Sequence, residues 1–151
     1  NFLSYYEDKC FPYTMPISDI VGLRTAVDNV LADTEIYARH AKIAAATREA
    51  LTKAGLHLYL QSGYSNTVTV IEVPEGLTDQ AILSTMRDKY NVMISGCFDV
   101  LAGKVIRIGH MGENANEADL CMTLAAMDKT FADLGYPLQC SMKEVFLKSL
   151  A

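Results

Sequence analysis

The stretch Leu51-Thr52-Lys53-Ala54-Gly55-Leu56-His57-Leu58-Tyr59-Leu60 decides the fold class, because the apolar period changes inside it. Upstream, Ile36, His40, Ile43, Thr47, Ala50 and Leu51 recur on one side of a helix predicted over about 34–54, the spacing of an amphipathic helix. Gly55 suits the left-handed cap that ends such a helix. Downstream, Leu56, Leu58 and Leu60 alternate with His57 and Tyr59, a turn follows at Gly63–Asn66, and 67–73 alternates again. That is a predicted β-hairpin.

Working outward, Ser18 is read as the cap of a helix over about 18–33 with Ile20, Leu23, Val27, Val30 and Leu31 at helical spacing. Residues 1–16 have no clean period and end in the Pro12 to Pro16 segment, which reads as a connector. After the hairpin, Thr78 caps a helix to about Lys89, and strands are predicted at 92–95 and 104–108. A helix over about 116–134 closes at Gly135 and Pro137, and Ser141 with Glu144 forms a capping box for a short last helix. The expected class is α+β, with helices covering a mostly antiparallel four-stranded sheet.

The chain has 151 residues, which at roughly 150 residues per domain excludes a large multidomain protein. Thirteen Lys and Arg against 18 Asp and Glu give a net charge of −5. Phosphate contacts need clustered positive charge, so nucleic acid is not an expected partner. Cys10, Cys97, Cys121 and Cys140 contain no C-x-x-C pair, which fits free thiols in a reducing compartment, the cytoplasm. No apolar run approaches the roughly 20 residues of a membrane span, and no signal peptide order is seen at the N-terminus. The sequence starts at Asn1 without an initiator Met, and the expectation is a part of a longer protein.

His40, His57 and His110 share no short spacing with one another or with a cysteine pair, so no metal site is predicted. Cys97, in the turn Ser95-Gly96-Cys97-Phe98-Asp99, is read as a small hydrophobe at a strand end rather than a nucleophile. The most informative chemistry lies in Val105-Ile106-Arg107-Ile108-Gly109-His110-Met111-Gly112-Glu113-Asn114. A guanidinium between isoleucines on a half-buried strand wants a carboxylate or phosphate held bidentately. Its partner is an internal Asp or Glu, or water at a rim where the stem packs and the head is solvated, or a substrate carboxylate at the strand end. His110 reads as a turn residue, and Gly109 with Gly112 is a weak signal for a phosphate nest.

Phe11-Pro12-Tyr13-Thr14-Met15-Pro16, Tyr37-Ala38-Arg39-His40, Gly76-Leu77 and Val105 to Gly112, in that order, resemble the C-terminal portion of class V pyridoxal-phosphate aminotransferases. The alanine–glyoxylate and serine–pyruvate branch is the most similar, and the resemblance runs from about Phe11 to Leu134. It implies a homodimeric enzyme that moves an amino group between a small amino acid, alanine or serine, and a keto acid, glyoxylate or pyruvate. It implies that Arg107 binds the substrate α-carboxylate and that Thr14 contacts the phosphate of pyridoxal phosphate from the neighbouring subunit. Phe11 stands where the family often has a tyrosine, so that hydroxyl is missing.

The resemblance also implies that residues 1–33 are the connector and helix left from a large domain and that 34–151 are the small C-terminal domain. The Schiff-base lysine of the family lies on the preceding large domain. None of Lys9, Lys42, Lys53, Lys89, Lys104, Lys129, Lys143 and Lys148 has its surroundings, so this chain alone is expected to contain no catalytic residue and to be inactive. Three other readings stand beside it. A cysteine desulfurase is disfavoured because Cys97 lies only ten positions before Arg107. A regulatory module would bind a small acid through Arg107 without chemistry. An interaction domain would use the apolar first helix and the aromatics Phe2, Tyr5 and Tyr6.

Overall fold

The computed structural model describes residues 2–9 and 13–151, with side chains from Tyr5 onward. Cys10 and Phe11, both singled out from the sequence, lie outside the described residues. The chain divides into two compact units, 1–36 and 37–151.

The first unit holds α1 (Phe2–Asp8) and α2 (Ile17–Ala32). Helix α1 corrects the reading of 1–16 as an unstructured connector. Helix α2 starts one residue before Ser18, so Ser18 lies inside the first turn and Pro16 takes the cap position without a side-chain hydrogen bond. The apolar residues that marked this helix, Ile20, Leu23, Val27, Val30 and Leu31, are all exposed, and no α2 residue is buried.

The second unit contains α3 from Tyr37 on (α3 is Ile36–Lys53), β1 (Val68–Glu72), α4 (Asp79–Tyr90), β2 (Val105–Gly109), α5 (Glu117–Asp133) and α6 (Met142–Leu150). Its helix ends follow the capping residues. Thr78, Asn116 and Ser141 accept backbone N–H bonds from Ala81, Asp119 and Glu144 at 3.2, 2.8 and 3.3 Å. Each relieves a donor that a helix start leaves unpaired. Gly55 ends α3 with φ of 91°, which a residue bearing a Cβ adopts only with strain. A Cβ there would also sit 2.9 Å from the Gln139 amide, so that side chain would have to shift.

The sheet has two strands, not the four expected. Strands β1 and β2 are antiparallel, with Val68 opposite Gly109, Val70 opposite Arg107 and Glu72 opposite Val105. The other two expected strands shrink to single bridges on the outer edges, Leu58 to Ile71 and Ser95 to Arg107. The hairpin partner makes two backbone bonds, Tyr59 to Val70 and Glu72 to His57. Beyond them the chain folds on itself: Gln61 donates to the Leu58 carbonyl and Tyr64 to the Gln61 carbonyl. These local bonds take the place of a continuing ladder.

Alternation sorts the strands into two faces. Thr69, Ile71, Ile106 and Ile108 are buried, with the three isoleucines in one core with Ile43, Ala50 and Leu51 of α3, Ile82 and Met86 of α4, Leu124, Met127 and Phe131 of α5, and Met142 and Phe146 of α6. Burying each large apolar side chain contributes about 1.5–3 kcal/mol. The opposite face carries Val68, Val70, Val105 and Arg107. Among the described residues no helix is long and apolar enough to cross a membrane.

Candidate functional site

Arg107 sits mid-strand in β2, half-buried, on the face turned away from the isoleucine core. Its backbone closes the bridge to Ser95: the Arg107 N–H donates to the Ser95 carbonyl at 2.6 Å, and the Ser95 N–H donates back at 3.2 Å. Its side chain returns to the same segment. Nε donates to the Gly96 carbonyl at 2.7 Å, and the guanidinium carbon lies 5.7 Å from the centroid of the Phe98 ring. Gly96 in turn lies against α4, where a Cβ would come within 3.5 Å of the Asp79 side chain and 3.4 Å of Leu83.

Two of the three guanidinium nitrogens remain without a hydrogen bond among the described residues, and no carboxylate pairs with Arg107 there. A guanidinium carries five N–H donors. One is used by Gly96, and the four on the terminal nitrogens form the fork that matches a carboxylate. The internal acid partner that the sequence left open as one alternative is not found among the described residues.

The strand then leads into a closed polar cluster. His110 is fully buried; its Nδ1 lies 3.2 Å from the Asn66 carbonyl and its Nε2 lies 2.8 Å from the Thr69 hydroxyl. A carbonyl can only accept, so Nδ1 carries the proton and Nε2 accepts from Thr69. Burial pushes the His110 pKa below its ordinary value, and nearby Arg48 and His40 act in the same direction. Both imidazole nitrogens are thus occupied inside the fold, and the His110 N–H extends the strand ladder to the Thr67 carbonyl at 2.9 Å. Two positions after His110, the Gly112 N–H donates to Nε2 of buried His40 on α3 at 3.0 Å. That bond ties the turn after β2 to the long helix, and Gly112 meets it with φ of 59°.

Thr14 is exposed in the first unit, on the extended segment before α2. Arg107 belongs to the second unit, so the two predicted site residues are described apart. Cys97 is half-buried and free, as are Cys121 and Cys140. No group of three His, Cys, Asp or Glu side chains gathers as a metal ligand set among the described residues. Sequence reasoning did not find the Gly96 carbonyl, the Phe98 ring or the His40 to Gly112 bond. Only the run of turn-forming residues at Ser95–Asp99 hinted that the chain would bend back there.

The terminal guanidinium donors of Arg107 are of the kind that match a carboxylate or phosphate, and comparison with known proteins places the chain among relatives. The chain is 36% identical to an uncharacterized aminotransferase of Methanocaldococcus jannaschii over 97% of its own length and 40% of that protein's. It is 36% identical to a serine–glyoxylate aminotransferase of Arabidopsis thaliana over 91% of this chain and 35% of the relative. Its homologues are class V aminotransferases. The crystal structure of pyridoxamine–pyruvate aminotransferase from Mesorhizobium loti superposes with a TM-score of 0.87 at 32% identity, covering 95% of this chain and 38% of that one. No family model matches the chain. The chain thus spans 35–40% of the length of the class V aminotransferases named above, a family that uses pyridoxal phosphate.

Proposed function

We propose that this chain is the C-terminal part of a pyridoxal-phosphate-dependent aminotransferase and that Arg107 binds the α-carboxylate of its substrates. The observation that carries the reading is the half-buried guanidinium whose terminal nitrogens make no hydrogen bond or ion pair among the described residues. A cation held this way lacks the partner that a structural arginine has, and a substrate carboxylate completes it. The relatives named for serine, aspartate, pyruvate and glyoxylate support amino acid and keto acid substrates, all of which carry the carboxylate this fork fits. We assign the transfer to a small amino acid, alanine or serine, and a small keto acid, glyoxylate or pyruvate. In this reading the enzyme is a cytoplasmic homodimer, residues 1–33 belong with the large domain, and 34–151 form the small one.

When bound, pyridoxal phosphate supplies the electron sink for amino transfer. The residues of this chain fit one contact to it, the exposed Thr14 hydroxyl, which donates to a phosphate oxygen. They do not fit covalent attachment. All eight lysines are exposed, whereas a Schiff-base lysine needs the lowered pKa that burial or a neighbouring cation provides. No step through the cofactor is assigned to this chain. What Arg107 does is positional: two parallel N–H bonds fix the carboxylate, and with it the angle at which the α-carbon is presented.

The test is an assay of the full-length protein for transfer from alanine or serine to glyoxylate or pyruvate, with Arg107→Lys alongside. Lysine keeps the charge and loses the two-point fork. The Michaelis constant for the amino acid should rise about tenfold to a hundredfold, in line with about 1.5–3 kcal/mol for a hydrogen bond to a charged group, while cofactor content stays unchanged. A normal Michaelis constant in that variant overturns the assignment of Arg107. Borohydride treatment of the 151-residue chain with added cofactor should leave no stoichiometric label on any lysine. A label on one lysine overturns the inactivity of the isolated chain.

A further inference from the structure

We infer that Phe98 is a positioning residue of the same carboxylate site, restraining the Arg107 guanidinium through a cation–π contact. The inference rests on the reading of Arg107 given above.

Phe98 is 78% exposed, an unusual place for a phenyl ring with no core to enter. It stands over the guanidinium at 5.7 Å, inside the distance at which a cation is attracted to an aromatic face. The same short segment supplies both contacts to the arginine: the Gly96 carbonyl accepts from Nε, and the Phe98 ring lies against the guanidinium. The donors on the two terminal nitrogens are used by neither contact.

The backbone is committed to this placement. Phe98 is followed by Asp99 in a left-handed conformation, φ of 50°, at the head of a 3₁₀ turn closed by the Ala102 N–H to the Asp99 carbonyl at 3.0 Å. A residue with a Cβ adopts that region at a cost, so the turn is maintained by its surroundings. The Leu101 N–H bonds back to the Phe98 carbonyl at 3.2 Å and fixes where the ring begins. A ring kept beside the fork lowers the local dielectric and strengthens the charge-assisted bonds to a carboxylate.

The full-length enzyme decides this with Phe98→Ala, Phe98→Tyr and Phe98→Leu, each compared with Arg107→Lys. For Phe98→Ala the Michaelis constants of the amino acid and the keto acid should both rise about two- to fivefold, the size of one exposed cation–π contact, with kcat little changed. Phe98→Tyr, which keeps the ring, should restore them, and Phe98→Leu, which keeps bulk without the π face, should not. In the 151-residue chain, where the ring is exposed, the melting temperature of Phe98→Ala should stay level. Unchanged Michaelis constants in Phe98→Ala, or full restoration by leucine, overturn the role of Phe98. If Arg107→Lys still raises the constants in that case, the carboxylate reading survives; if neither variant moves them, both fall.

Discussion

Within four residues of one strand the molecule uses its polar side chains in opposite ways. Around His110 every ring nitrogen is matched: Thr69 on one side, the Asn66 carbonyl on the other, with His40 fixing Gly112 close behind. Around Arg107 one nitrogen is matched and two are not. Buried polar groups must be paired or the fold is penalised, so a closed network reports structure. Spare donors on a charged group, kept half in contact with solvent, cost little in the free protein and remain available to a ligand. The difference separates a histidine with both ring nitrogens occupied from an arginine with donors to spare among the described residues.

That contrast predicts which variants damage stability and which damage function. Thr69→Val keeps the shape of a fully buried residue and removes the hydroxyl that His110 depends on. Unfolding free energy from urea titration should drop by about 1–3 kcal/mol, the cost of an unmatched buried polar group. The Arg107→Lys variant should show the reverse pattern, with substrate affinity lost and the urea midpoint in place. A Thr69→Val protein of wild-type stability would break the division between the two regions.

A smaller effect comes from pH. Burial lowers the His110 pKa in the folded state below its ordinary 6.5. The unfolded chain therefore takes up a proton at this site before the folded one does, and stability falls as pH drops below about 6.5. One group changes stability by at most about 1.4 kcal/mol per pH unit in that window. Urea midpoints measured between pH 7.5 and 5.5, roughly the histidine window, should decline in the wild type and stay flatter in His110→Gln. The carboxylates held below their ordinary values, Glu49 by Lys53 and Ser149, Asp88 by Arg87 and Asp133 by Tyr90 and Lys89, act only at lower pH. Equal slopes in both proteins would mean that His110 is not the titrating group.

The smallest effect belongs to the turn beside Arg107. Asp99→Gly removes the steric cost of the left-handed backbone at 99 and should stabilise by no more than about 1 kcal/mol, since glycine also loosens the unfolded chain. Thermal melting measures it. A clear loss of stability would show that the Asp99 side chain itself holds the turn.

Helix α2 and helix α3 show how far sequence reading reached and where it stopped. Both announced themselves by apolar residues at helical spacing, and both are helices. The face read on α3 is the buried one, with His40, Ile43, Thr47, Ala50 and Leu51 all inside. The face read on α2 is exposed throughout. Periodicity is a property of the segment, while burial needs a second surface. The strand segments 57–60 and 92–95 failed for a related reason: alternation says a strand is possible, but the ladder extends only as far as both neighbours stay extended.

The sequence by itself determined helices α2 to α6, three of their caps, the stop at Gly55, the strands near 68 and 106 and the unusual position of Arg107 between isoleucines. These are local: they follow from side-chain periodicity, from hydroxyl and amide groups that reach their own backbone, and from a glycine that alone tolerates its dihedral angles. Only the tertiary structure decided that His110 is spent on Thr69 and Asn66, that Gly96 and Phe98 both contact Arg107, and that no described acid answers its charge. Those partners lie 41, 44 and 11 positions away for Thr69, Asn66 and Gly96, and whether a polar group is satisfied depends on which distant segment the packed core brings beside it.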